Sequence, residues 1–237
     1  MRAIFLKKSE NVKSGDILNI DGDRAHHLLK VARIKIGEDL LIFNGSGLKI
    51  TSRVSEVKRR ELSLEILEVS HESRQAPLLD IAFCLPKKNA LDEILKISVE
   101  LGLNKIIPLI SEYSSRYDLN KERVDRLLES ALIQSNNPFL PIMNKERDLK
   151  TLDSLCSSYD RVFYFSSIKK VSGSIAFQNE VKKALLIIGP EGGLSNLEED
   201  YIENIDNVNT IHLPTPILRA PHALATSVGY LLGLFQK

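Results

Sequence analysis

The chain has 237 residues, of which 43% are hydrophobic and 27% charged, as in globular proteins with a sizeable core. It shows no apolar run near the ~20 residues of a membrane span, no apolar leader at its N-terminus and no CxxC spacing of its two cysteines, so we expect a cytoplasmic protein without membrane association, disulfide framework or metal site. The formal net charge of +1 does not indicate a general nucleic-acid binder, and any RNA contact would need local basic patches.

The first part of the chain has the pattern of a small β-barrel. Residues 48–57 and 62–69 alternate apolar and polar side chains, as half-buried strands do. Asn44-Gly45 is a hairpin signal, because both turn positions tolerate positive φ. Several short strands closed by one helix suggest a barrel, and the polar stretch 71–77 suggests a linker after it. The predicted elements are strands over 16–20, 39–43, 48–57 and 62–69 and a helix over 24–33.

After the linker, predicted strands and helices alternate. The strands are continuous apolar runs, which is typical of a parallel α/β sheet buried on both faces. One helix ends before Gly102, the glycine expected after a helix C-terminus. We therefore predict two domains, residues 1–72 and residues 73–237. The predicted elements of the second domain are strands over 78–85, 106–110, 161–165, 184–188 and 210–213 and helices over 90–101, 121–134, 197–203 and 223–235.

A glycine-rich loop follows the strand at 184–188. It reads Gly189-Pro190-Glu191-Gly192-Gly193, and Ser195 with Glu198 three residues later predicts a capping box for the next helix. In open α/β sheets ligands bind outside the carboxyl ends of the strands, and glycines let the backbone approach a ligand closely. The spacing is neither Walker A nor GxGxxG, which disfavours a nucleoside triphosphate or a dinucleotide. A plain turn is the alternative, although a proline and an acid embedded in glycines exceed what a turn requires.

Two further loops are candidates for chemistry. The segment from Leu213 to Pro221 holds prolines that would stiffen an apolar wall, and Arg219 is its only charge. A connector with a solvated arginine is the alternative reading. The segment from Gln134 to Pro138 offers amides and a hydroxyl at a helix end. These groups could hydrogen-bond a base edge, or they could form a C-cap and turn.

Basic side chains near the predicted first helix could form a phosphate-contacting face, with a solvated helix face as the alternative. His212 and His222 are too isolated for a metal site, and no Ser/His/Asp or Cys/His arrangement stands out for nucleophilic catalysis. The residues of the basic face are His26, His27, Lys30, Arg33 and Lys35.

Several motifs occur together in one order. The run from Ile188 to Leu194 with Glu198 has the form of a cofactor loop, and Ile217-Leu218-Arg219 stands at the entry to the last helix. In this order they resemble the ribosomal RNA small subunit methyltransferase E family, a branch of the SPOUT methyltransferases, and the resemblance covers essentially the whole chain. Further matching segments are residues 25–33, 37–39, 43–47, 100–103 and 107–109.

The resemblance implies a PUA-like RNA-binding β-barrel followed by a SPOUT α/β domain with a C-terminal trefoil knot, a rare exception to the rule that chains do not thread loops. It also implies a homodimer that uses S-adenosylmethionine, without a metal, to methylate N3 of a uridine in 16S ribosomal RNA. We expect cofactor binding by Ile188, Gly189, Pro190, Glu191, Gly192, Gly193, Leu213, Ile217 and Leu218, catalysis by Arg219 and His222, and RNA binding by His27, Lys30, Arg33, Gln134 and Asn137.

The chain departs from the family pattern on the substrate side. The family segment Glu-Gln-Ser-x-Arg is here Ile133-Gln134-Ser135-Asn136-Asn137, and Thr-Glu-Thr is here Ala220-Pro221-His222. Tyr113 stands where the family has an arginine, and Ile97, next to Lys96, where it has a lysine. The cofactor loop is intact while the polar residues of the substrate side are reduced in number.

Three alternatives follow from these departures. The chain could methylate the usual uridine with a reorganised site, in which Arg219 or His222 replaces the lost polar groups. It could have another RNA target. It could also be an RNA-binding or ribosome-assembly protein without catalysis that binds the cofactor weakly or not at all. An active methyltransferase is favoured over a protein without catalysis.

Overall fold

The computed structural model describes residues 2–7, 9, 11–166 and 180–236. They divide into a first unit, Met1–Arg74 with Leu132–Leu140, and a second unit, Gln75–Ala131 with Pro141–Lys237. The predicted domains, 1–72 and 73–237, put residues 132–140 in the second domain, whereas the structure puts them in the first unit. This segment belongs to the first unit because its backbone pairs with the hairpin at Gly45: Leu140 N donates to Gly45 O at 2.8 Å.

The first unit contains a mixed sheet in the order β1-β3-β4-β5-β2. The pair β1 and β3 is parallel, and the other pairs are antiparallel. The barrel stays a prediction, because no pairing between β1 and β2 occurs among the described residues. The strand β1, at the start of the chain, was not predicted. The elements are β1 (Arg2–Phe5), β2 (Ile17–Ile20), α1 (Gly22–His26), β3 (Asp39–Phe43), β4 (Leu48–Val57) and β5 (Leu62–His71).

The helix predicted over 24–33 is shorter and less regular in the structure. After α1 the chain forms a π-helical turn, His27–Val31, in which Ala32 N donates to His27 O at 2.9 Å. The turn ends at Arg33, whose φ of +51° is in the left-handed region. Leu28 points into the core at 2% exposure, and His27, Lys30 and Arg33 are exposed.

The second unit is built on a parallel sheet in the order β12-β10-β11-β6-β7-β8, with β9 also beside β7. Every strand pair in it is parallel, which confirms the predicted parallel α/β sheet. The elements are β6 (Leu78–Cys84), α2 (Lys88–Glu100), β7 (Lys105–Ile110), α3 (Lys121–Ser135), β8 (Ile142–Met143), β9 (Arg147–Asp148), α4 (Leu152–Cys156), β10 (Arg161–Phe165), β11 (Lys183–Ile188), α5 (Asn196–Glu203), β12 (Val208–Ile211) and α6 (Ala220–Phe235).

Two predicted boundaries at the C-terminal end differ from the structure. The strand predicted over 210–213 is β12, which begins and ends two residues earlier. The helix predicted over 223–235 begins at Ala220, because Pro221 is in its first turn, where proline costs no helical hydrogen bond. The short elements β8, β9 and α4 were missed, since two residues are too few for strand alternation and five residues are fewer than two helical turns. In the described part of the chain, no helix is long and apolar enough to cross a membrane.

Candidate active site

The glycine loop begins where β11 ends. Ile188 is buried at 4% exposure, and Pro190 is buried while Glu191 and Gly192 are exposed. Gly193 N donates to Pro190 O at 3.0 Å, which closes a tight turn. Gly193 has a φ of +77°, a conformation that strongly favours glycine. The loop therefore presents bare backbone to solvent at the carboxyl end of a central strand.

Glu198 holds the glycine loop in place. Its Oε2 accepts from Ser195 N at 3.0 Å, which confirms the predicted capping box at the start of α5. Its Oε1 accepts from Glu112 N at 2.7 Å, in the segment that follows β7. A Cβ on Gly192 would be 3.5 Å from the Cβ of Tyr113, an ordinary van der Waals contact. One carboxylate thus joins two loops at the same edge of the sheet.

A second loop at this edge borders a small cavity. It follows β12 and begins with His212, whose Nδ1 is 3.3 Å from Ser166 O. The cavity holds about 70 Å³. Ser227, on α6, contributes a fully buried hydroxyl with no hydrogen-bond partner among the described residues. The lining consists of Phe165, Ser166, His212, Leu213, Thr215, Pro216, Ile217, Leu218, Ala223 and Ser227.

The register of the sheet brings the two loops to one edge. Tyr164 on β10 pairs with Ile187 on β11 and with Thr210 on β12, so the three strands end at the same level. Ligands of open α/β sheets bind outside such carboxyl ends. Of the predicted cofactor residues, Leu213, Ile217 and Leu218 line the cavity, whereas Ile188 and residues 189–193 stand at the neighbouring strand end and do not line it.

The predicted catalytic pair is at the start of α6. Arg219 is the N-cap residue, with extended backbone, and its carbonyl accepts from Ala223 N at 2.8 Å. His222 is three residues further, and side chains three apart on a helix lie on the same side. Both side chains are exposed. They border the cavity loop without filling it.

The predicted RNA-binding residues do not line one common cavity. Gln134 is exposed near the end of α3. The Oδ1 of Asn137 accepts from Phe139 N at 3.0 Å, which is the turn considered as the alternative to base reading. Arg74 contacts the residues that follow this turn: its guanidinium is 4.6 Å from the Phe139 ring centroid, and it donates to Leu140 O at 2.9 Å.

In the first unit Lys30 lines a cavity of about 270 Å³, together with three other basic or imidazole side chains. His27 and Arg33 do not line it. Arg59 and Arg60 were not among the predicted residues, although the run Lys58-Arg59-Arg60 between two predicted strands is a basic cluster visible in the sequence. None of Lys30, Arg59 and Arg60 has an ion-pair partner in the part of the chain that the structure describes. The lining is Gly22, Asp23, His26, Leu29, Lys30, Arg59 and Arg60.

The buried titratable groups of the second unit are structural. Burial raises the pKa of the Cys84 thiol to about 12 and that of Cys156 to about 12, so neither is a ready nucleophile. Glu199 is buried and accepts from the Tyr164 hydroxyl at 2.8 Å. Burial, with this hydrogen bond, raises the pKa of Tyr164 above its usual range. No group of three or more metal-ligating side chains occurs among the described residues.

Comparison with known proteins identifies the family. Residues 74–232 match the RNA methyltransferase domain, and residues 20–67 match the RNA methyltransferase PUA domain. A protein of Rickettsia conorii named ribosomal RNA small subunit methyltransferase E is 27% identical, covering 88% of this chain and 86% of its own length. The protein of that name from Bacillus subtilis is 25% identical, covering 100% of this chain and 99% of its own length.

A crystal structure of ribosomal RNA small subunit methyltransferase E from Neisseria gonorrhoeae bound to S-adenosyl methionine shares the fold. It has a TM-score of 0.85 and 24% identity, covering 99% of this chain and 98% of the other. The domain match spans more than half of the chain. The chain therefore belongs to the RNA methyltransferase family that includes the proteins named ribosomal RNA small subunit methyltransferase E.

Proposed function

We propose that this protein transfers the methyl group of S-adenosylmethionine to N3 of a uridine in 16S ribosomal RNA, as a homodimer in the cytoplasm. The observation that carries the proposal is the pair of loops at the carboxyl edge of the parallel sheet. One is bare glycine backbone, and the other borders a cavity with a buried hydroxyl that has no hydrogen-bond partner among the described residues. We further propose that the second domain is of the SPOUT type, with its C-terminal segment threaded as a trefoil knot.

The residues at the two loops fit this cofactor. The cavity of about 70 Å³ is smaller than the roughly 300–1,000 Å³ of common ligand sites, so it would hold one part of the molecule. Phe165, Leu213 and Leu218 offer apolar walls, and Ser227 offers the hydrogen bond that a buried polar ligand atom requires. The backbone of exposed Gly192 and half-buried Gly193 would take the remainder, since glycine permits close approach.

When bound, S-adenosylmethionine supplies a methyl group already activated on a sulfonium. The protein then has to place the uridine N3 in line with that methyl group. As the N3–C bond forms, the bond from the methyl carbon to sulfur breaks and the cofactor leaves as a neutral thioether. The N3–H proton must also leave, so negative charge develops on the base. In this proposal Arg219 contacts that charge and the His222 imidazole accepts the proton; both are exposed residues at the start of α6. The target base has to be presented unpaired.

The cavity of the first unit fits the phosphates of the RNA. Four groups that are or can become cationic converge there with one carboxylate, Asp23, and like charges are stabilised when an anion lies between them. Arg59 and Arg60 extend the predicted face of Lys30. We propose that this cavity contacts the RNA backbone, which fixes register and orientation without reading sequence.

The exposed side of α6 supports the homodimer. This helix carries no Asp, Glu, Lys or Arg, and Tyr230 and Leu232 are 39% and 40% exposed next to exposed Gly229 and Gly233. An uncharged helical face with small residues allows another helix to approach closely. Sedimentation of the wild type should give a dimer, and Leu232→Glu should give a folded monomer. A wild type that sediments as a monomer would contradict this part of the proposal.

One observation favours a second candidate, an RNA-binding protein without catalysis. The side chain of Asn137 serves a turn and stands where the family has an arginine. Calorimetry with S-adenosylmethionine and its demethylated product separates the two candidates, because the catalytic proposal requires binding of both. The catalytic proposal further requires that the wild type transfer label from the cofactor to small ribosomal subunits that lack the modification. Arg219→Ala and His222→Ala should lower the transfer rate while retaining cofactor affinity.

A further inference from the structure

A cleft lies between α2 and the first turns of α3, in the second unit. We call it the α2–α3 cleft, and it holds about 310 Å³. Its floor is apolar, because Leu91, Leu95 and Val124 are 6%, 0% and 5% exposed. It is several times larger than the cavity beside the loop after β12. An apolar floor with a polar rim is the usual form of a ligand site.

A fixed aromatic ring forms one wall of the cleft. The Tyr117 hydroxyl donates to Pro86 O at 2.7 Å, which holds the ring in one orientation. Burial, with the charges of Asp92 and Glu191, raises the pKa of Tyr117 to about 12, so the ring is a neutral phenol at physiological pH. The Lys88 ammonium is 5.5 Å from the ring centroid. A flat ring beside a cation suits a nucleobase and its phosphate.

The rim of the cleft has an excess of positive charge. Arg123 pairs with Asp92, through Nε to Oδ1 at 3.3 Å and through a second, shorter bond, so these two charges offset each other. Of the other charged side chains that line the cleft, Lys88 and Arg126 are basic and only Asp118 is acidic. Both basic side chains are exposed. The balance favours an anionic occupant over a neutral apolar one.

The wall of the cleft is continuous with the loops at the active-site edge. The segment from Glu112 to Tyr117 begins at the hydrogen bond to Glu198, and Tyr113 is beside Gly192. The Glu191 carboxylate in the glycine loop acts electrostatically on the Tyr117 phenol. An RNA strand with one base at the glycine loop would therefore have its neighbouring nucleotides near the cleft.

We propose that the α2–α3 cleft binds a nucleotide of single-stranded RNA that neighbours the target uridine, with the base against Tyr117 and the phosphate at Lys88 and Arg126. The inference rests on the proposed function for RNA as the substrate. It assigns to the second unit an RNA-binding site of its own, in addition to the basic cavity of the first unit.

The test measures the affinity of the full chain for a short, fluorescently labelled single-stranded RNA by anisotropy. Tyr117→Ala should weaken binding about ten-fold, since base–aromatic stacking is worth about one decade or more, and Tyr117→Phe should retain most of the affinity. Arg126→Glu should also weaken binding about ten-fold. Lys121→Glu is the matched control, because it makes the same charge change at an exposed position of α3 that does not line the cleft.

The outcomes separate this inference from the proposed function. Calorimetry with S-adenosylmethionine should give the same affinity for Arg126→Glu and wild type. If Arg126→Glu binds RNA no worse than Lys121→Glu while the wild type still transfers methyl groups, the inference is wrong and the proposed function stands. If the wild type transfers no methyl group but Tyr117→Ala and Arg126→Glu lose RNA affinity, the proposed function is wrong and the cleft is still an RNA-binding site. A shift of Arg126→Glu from dimer to monomer in sedimentation would make the cleft a protein interface and overturn the proposal.

Discussion

Removing the buried hydroxyl of Ser227 should raise the stability of the cofactor-free protein and lower its affinity for the cofactor. The Ser227 Oγ is enclosed on α6 without a hydrogen-bond partner among the described residues, and such a group costs about 1–3 kcal/mol of desolvation. Ser227→Ala removes that cost, and alanine also has the higher helix propensity. We expect the cofactor-free variant to be more stable by about 1 kcal/mol, which raises the melting temperature by about 2–4 °C in a protein of this size.

The same substitution should weaken cofactor binding. A hydrogen bond from a buried hydroxyl contributes about 1 kcal/mol, or roughly five-fold in Kd. Calorimetry measures the affinity, and thermal unfolding with and without cofactor measures the stability. Thr226→Ala is the control, since Thr226 is the adjacent residue on α6 and is exposed. A Ser227→Ala protein that melts earlier than wild type, or that binds the cofactor with unchanged affinity, would refute this role.

Three further predictions concern the fold. Gly47→Ala should lower the free energy of unfolding by more than about 2 kcal/mol, because φ is +100° and the new Cβ would be 2.5 Å from a carbonyl oxygen. Gly37→Ala is the control: φ is +85° there but the space around it is open, so it should cost only about 1–2 kcal/mol. Equal losses of the two variants in chemical denaturation would contradict this. Cys84 and Cys156 should not react with a thiol reagent until denaturant is added, and rapid labelling of the native protein would count against their burial. Hydrogen bonds from two backbone NH groups lower the pKa of Asp160, so its contribution to stability is present at neutral pH and lost as pH falls through its folded pKa. Asp160→Asn should therefore destabilise the protein at pH 7, and destabilise it less below about pH 4. A stability difference that does not change with pH would contradict this prediction.

Local signals in the sequence predicted the elements that local chemistry determines. The strand before Gly189, the glycine loop and the capping box of Ser195 and Glu198 all depend on residues within a few positions of one another, and the structure confirms their conformations. The parallel sheet followed from continuous apolar runs for the same reason.

Contacts between distant segments could not be predicted in this way. Residues 132–140 belong to the first unit through backbone hydrogen bonds to the hairpin at Gly45 and Gly47, and no pattern in either segment indicates the other. The meeting of Lys30 with Arg59 and Arg60 depends on the antiparallel pairing of β4 and β5, which places their turn near the π-helical segment. The α2–α3 cleft likewise needs two helices whose mutual position only the folded chain fixes.

The most direct test of the proposed function is the identity of the methylated nucleoside. Purified protein, labelled S-adenosylmethionine and small ribosomal subunits from a strain lacking the modification are incubated, and the 16S RNA is digested to nucleosides. The proposal predicts labelled N3-methyluridine from one position. Cofactor binding without label in the RNA, or label on another base, would contradict it.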